Sequence, residues 1–248
     1  MVKKQLKSLS KELALLVKNV PEEEIDNYQF DLSPIQPKRF TVVGESHPSK
    51  TIGKFVEKLL TEKPFDNLFL EGLLRGFYQE EGDNLKDRNS TYGFCPKKYD
   101  SLIKTAIEKN IKVYGLRSKK ETGKHEMVSE WNEIEECKEV EEWARYILEN
   151  AGNLNLILVG AGHVNYWQEE KGKEKSILLP AMLYKSGIKE EDILTITQVK
   201  IEHDDDHIPY GLYKYNELPD IGVWEYMKTN HIADFVLVTP SYFWAPLL

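Results

Sequence analysis

Five ionisable residues stand where apolar runs stop. Phe40-Thr41-Val42-Val43-Gly44 ends in Glu45 and, two residues on, His47; side chains two apart on extended backbone project to the same side. Asn67-Leu68-Phe69-Leu70 ends in Glu71, Ile111 to Leu116 ends in Arg117, and Leu156 to Gly160 is followed by Ala161-Gly162-His163. Two histidines with one or two carboxylates make a first shell for a divalent metal such as Zn²⁺, Mn²⁺ or Fe²⁺, with Glu45, His47 and His163 as its ligands. Such an ion lowers the pKa of bound water and so makes a nucleophile near neutral pH. A metal-free alternative uses the same residues. His47 or His163 is then a general base oriented by Glu45 or Glu71, and Arg117 stabilises an oxyanion or holds a substrate carboxylate. The spacing leaves both mechanisms open.

The elements that must position these residues alternate between strand and helix. After the strand ending at Glu45, Ile52, Phe55, Val56, Leu59 and Leu60 recur at helical spacing up to Pro64. Helices are also expected around Tyr99 to Ile107, around Ile177 to Lys185 with Gly187 closing it, and along Met127, Trp131, Ile134, Cys137, Val140, Ala144, Ile147 and Leu148. The acidic run on that last helix reads as a solvated face. Further strands are expected at 193–201 and 235–238, with 202–234 rich in turns.

Strands alternating with helices imply a mostly parallel sheet covered on both faces, a three-layer αβα architecture in one α/β domain spanning 1–248. Every parallel strand then ends on one edge, the edge where such folds bind ligands. Residues 1–38 are expected to form an amphipathic helix and a proline-containing connector. Residues 73–97, without clear period, are expected to be a lid-like insertion after the second strand. Gly44, Gly72, Gly115, Gly160 and Gly162 adjoin the ionisable residues, where a missing Cβ permits sharp exits and close approach.

Composition narrows the partners. The 248 residues carry a formal net charge of −8, with 41% apolar and 30% charged residues. That balance argues against affinity for nucleic acid or anionic membrane, because phosphate binding needs clustered positive charge. No stretch reads as an export signal or reaches the ~20 apolar residues of a membrane helix, which predicts a cytoplasmic protein. Cys95 and Cys137 fit that compartment as reduced thiols, Cys137 on a buried helix face.

Other polar residues are read more plainly. His203-Asp204-Asp205-Asp206-His207 is an acidic turn, with a secondary cation site as the alternative. Tyr210, Tyr213, Tyr215, Trp224 and Tyr226 are expected in core or pocket wall, Tyr166 and Trp167 in the wall of the site, and Arg75 on the lid surface. His125 and His231 have no constellation around them.

The VVGESH turn, the strand ending LEG, the YGLR strand and the segment VGAGHVNY together resemble the EreA/ChaN-like superfamily, which includes erythromycin esterases, ChaN-like haem-binding proteins and the Tiki/TraB group. The similarity runs from about residue 39 to 166. It implies an α/β fold with Glu45, His47, Glu71 and His163 in the site, and Arg117 beside them. The superfamily's members include esterases, metal-dependent proteases and haem carriers, so the activity is expected from the site itself: a hydrolase of an ester or amide bond acting on a small-molecule or peptide substrate, the alternative being a non-catalytic carrier of haem or metal. In that alternative a tyrosine is a candidate ligand to haem iron.

Overall fold

The computed structural model describes residues 30–46, 50–78, 96–117, 133–165, 167–201, 208 and 210–240. Its strands are β1 (Phe40–Glu45), β2 (Asn67–Leu74), β3 (Gly76–Tyr78), β4 (Lys112–Arg117), β5 (Asn155–Gly160), β6 (Ile193–Ile201), β7 (Gly211–Lys214) and β8 (Phe235–Pro240). They form an 8-stranded sheet in the order β3-β4-β2-β5-β1-β6-β8-β7. All pairings from β4 across to β8 are parallel, and only the edge strands β3 and β7 run antiparallel.

Strict alternation along the strands feeds two cores. Val43, Leu68, Leu70, Leu156, Leu158 and Ile196 bury one face against the apolar stripes of α1 (Lys50–Glu62) and α2 (Pro96–Glu108). Val42, Phe69, Leu116, Ile157 and Val159 bury the other against α3 (Glu133–Asn150) and α5 (Leu179–Lys185). The short helix α4 (Trp167–Glu170) joins them, and α6 (Gly222–Thr229) covers the β8 end of the sheet with Trp224 and Met227. Both faces of the central strands are therefore apolar, as a parallel sheet between two helical layers requires.

This topology has a switch point. The chain leaving β1 and the chain leaving β2 and β3 turn into helices on the first face, whereas those leaving β4 and β5 enter helices on the second. Neighbouring strands whose exits diverge mark the place where such sheets bind ligands, here at the end of β5 between β1 and β2.

Several expectations are corrected. Leu73, Leu74 and Gly76–Tyr78 are strand rather than lid, and Pro96 already opens a helix; residues 79–95 between them lie outside the described residues. Ile134, placed on the buried stripe of α3, is 62% exposed, and Trp143 takes the central buried position instead. The acidic side of that helix is not uniformly solvated, since Glu142 pairs with Arg75 and Glu136 with His163. Arg75 is a latch and not a surface cation. Its Nε donates to the Leu116 carbonyl, its guanidinium meets Glu142 at 3.3 Å and lies over the Tyr146 ring. Within 202–234 the chain forms β7 and α6, neither expected from sequence. Trp167 is core, packed with Leu178 and Ala181. Tyr226 is exposed, while Trp224 is core. The N-terminal helix, Cys95, His125, His203 to His207 and Tyr166 lie outside the described residues. No described helix is long and apolar enough to cross a membrane.

Candidate functional site

Glu71 sits in a β-bulge. The register of β2 on β4 runs Leu70 to Gly115 and then Leu74 to Arg117, so extra residues of β2 oppose the end of β4. That kink brings the Leu74 carbonyl against Gly115, where an added Cβ would lie 1.9 Å from the carbonyl oxygen. Backbone cannot yield as a flexible side chain does. Gly115→Ala is therefore expected to destabilise the fold by roughly 3 kcal/mol, read as a lower denaturant midpoint at constant slope.

The bulge delivers a buried carboxylate with both oxygens bonded. Arg117 Nη2 donates to Glu71 Oε1 at 2.8 Å, and the Gly160 N–H donates to Oε2 at 2.6 Å. Glu71 thus ties the ends of β4, β2 and β5 together. Burial pushes its pKa up, but the charge of protonated His163, the charge and hydrogen bond of Arg117 and the Gly160 N–H outweigh that. The net effect holds it below the ordinary glutamate value. Glu71 is a fixed negative charge. Arg117, 6% exposed, is its counter-ion.

His163 comes from the turn that leaves β5. Ala161–His163 is one turn of 3-10 helix, followed by Val164 and Asn165, whose N–H groups both bond the Ala161 carbonyl. The turn arches over β1 at Gly44: a Cβ there would lie 2.9 Å from Ala161 Cα and 3.0 Å from Val164 Cγ2. Gly44 is thus glycine because the histidine turn rests on it. The imidazole packs edge-on to buried Trp143, with ring centroids 5.1 Å apart. Its Nδ1 lies 2.8 Å from the Ile177 carbonyl oxygen, and its Nε2 3.7 Å from Glu136 Oε1. A carbonyl only accepts, so Nδ1 carries the proton of the neutral ring and Nε2 keeps its lone pair. The side of the turn at Gly162 faces open space among the described residues.

Glu45 is 2% exposed and is paired in register with Gly160, so it and Glu71 flank the end of β5. The structure therefore brings Glu45, Glu71, Arg117 and His163 to one stretch of rim, and His47 lies outside the described residues. Among the described residues no three His, Cys, Asp or Glu side chains gather to hold a metal. Each Glu71 oxygen already accepts one hydrogen bond.

Sequence reasoning missed the polar half of this rim. Gln198 on β6 accepts the Ser46 N–H at 2.9 Å and donates to Thr239 Oγ1 at 2.9 Å, fixing the exit of β1. Thr197 Oγ1 donates to Asn165 Oδ1 at 2.6 Å, fastening the far end of the histidine turn. Polar residues at the end of an otherwise apolar strand were the available signal, since Thr-Gln interrupts the run 193–199. Glu136 gave none, because one helix face cannot show which of its acids a distant turn will reach.

No protein-family profile and no curated protein matches the chain. Two solved structures align with it at low identity. The type III effector HopBA1 is 12% identical, with 82% of this chain and 88% of that chain covered and a TM-score of 0.47. ChaN of Campylobacter jejuni, described with cofacially bound haem, is 13% identical, with 83% and 89% covered and a TM-score of 0.46. These identities transfer no residue's role.

Proposed function

We propose that this rim is the active site of a hydrolase that cleaves an ester or amide bond of a small-molecule or peptide substrate, with His163 moving the proton. The observation that carries the reading is the way His163 is held. Its Nδ1 is committed to the Ile177 carbonyl, which leaves Nε2 as a ready proton acceptor. Nε2 takes a proton from the attacking water and later returns it to the departing alkoxide or amine. Glu71 is held ionised at the end of β5, and Glu136 Oε1 lies 3.7 Å from Nε2, the nitrogen that takes the proton. Glu45 adds a further acid at the mouth of β5, and Arg117 keeps Glu71 ionised and in place. These steps use only the chain's own side chains.

One observation favours a second reading. An imidazole with Nδ1–H on a backbone carbonyl, and so with the lone pair on Nε2, is also oriented as a ligand to a metal or haem iron. One set of assays separates the two. Purified protein is incubated with p-nitrophenyl esters and p-nitroanilides, and separately titrated with haem while visible absorbance is recorded. Turnover above the uncatalysed rate is expected. Inertness towards both probe classes, with a strong haem band that disappears in His163→Ala, overturns the hydrolase reading in favour of the carrier.

A further inference from the structure

The turn that carries His163 also carries a carboxamide held at its oxygen, whose donors have no partner among the described residues. Asn165 lies two residues after His163, half-buried, with its backbone N–H on the Ala161 carbonyl at 3.2 Å. Its Oδ1 accepts from the hydroxyl of Thr197, a fully buried residue on β6 whose Cα is paired with that of Gly44 on β1. The turn therefore spans from the end of β5 across β1 to β6, pinned at its middle by Gly44 and at its far end by this bond. With Oδ1 committed, the amide nitrogen is the free end, and neither of its N–H groups has a partner among the described residues. A carboxamide held this way is a preorganised pair of donors that needs no reorganisation when charge develops nearby.

We propose that Asn165 is a catalytic residue of the His163 site, donating a hydrogen bond from Nδ2 to the oxyanion formed when an ester or amide carbonyl is attacked. This assignment rests on the hydrolase reading above. In the first step the water oxygen bonds to the carbonyl carbon and its proton goes to His163 Nε2. The carbonyl π pair moves to the oxygen, which becomes the oxyanion that Asn165 meets. In the second step that pair re-forms the carbonyl, the bond to the leaving oxygen or nitrogen breaks, and the proton on Nε2 passes to the leaving group. Acid and alcohol, or acid and amine, are the products, and His163 ends as it began. Thr197 touches no reacting atom in this scheme; it is a positioning residue that acts through the amide.

The test compares wild type, Asn165→Ala, Asn165→Asp and Thr197→Val on a p-nitrophenyl ester, with melting curves for each. Asn165→Asp retains an acceptor for the Thr197 hydroxyl, so the turn keeps its anchor while the donor is replaced by a negative charge. The expected result is a fall in kcat of about 10²–10³-fold in both Asn165 variants, as for loss of one oxyanion donor, with KM unchanged. Thr197→Val is expected to lose less, and an alkyl phosphonate mimic of the tetrahedral anion to bind Asn165→Ala more weakly than wild type. A wild type that turns over, loses activity in His163→Gln and keeps its kcat in Asn165→Asp overturns the role of Asn165 and leaves the hydrolase reading intact. A wild type inert to every probe ester and anilide overturns both.

Discussion

Glu71→Ala is expected to cost the fold about 3–5 kcal/mol, the range for removing one partner of a buried ion pair. The loss arises from what stays behind. Arg117, buried at the end of β4, keeps its charge without the carboxylate that met it at 2.8 Å, and the Gly160 N–H loses its acceptor. Urea unfolding at neutral pH measures the change, and a loss under about 1 kcal/mol, the scale of an exposed pair, contradicts the geometry. A double replacement, Glu71→Leu with Arg117→Met, is expected to recover much of it, because an apolar pair of similar volume leaves no orphaned charge.

The same carboxylate sets an acid limit on stability. Its pKa is lowered by folding, so its contribution is fully present above the unfolded value, about 4.3 for glutamate, and is lost as pH falls towards the folded value. Glu71→Gln mimics the protonated acid. Its stability deficit relative to wild type should therefore be constant at neutral pH and shrink as pH drops below about 4.3.

The layered fold was legible because the central strands are buried on both faces and their apolar runs stop abruptly at Glu45, Glu71, Arg117 and Gly160. The convergence of Glu71, Arg117 and His163 followed from parallel strands sharing one edge. What did not show in the sequence depends on contacts between distant segments. The bulge in β2 exists because the Leu74 carbonyl fits over Gly115, a backbone match that no periodicity encodes. Nothing local to Arg117 announces that the bulge will place Glu71 against it. Glu136 and Glu142 read as solvated acids because nothing local announces that His163 and Arg75 will reach α3. In 211–229 the punctuation of Gly211, Pro219 and Gly222 masks a short edge strand and a helix with only Trp224 and Met227 buried.

His163→Gln tests the central claim most directly. Glutamine keeps a polar group near the Ile177 carbonyl and Trp143 but has no nitrogen that can take a proton at neutral pH. General base catalysis is worth typically about 10²–10⁴-fold, so turnover of a p-nitrophenyl ester should fall by that factor while the melting temperature stays close to wild type. A folded His163→Gln protein that hydrolyses the ester at the wild-type rate would contradict the account, because the proton would then be moving through some other group.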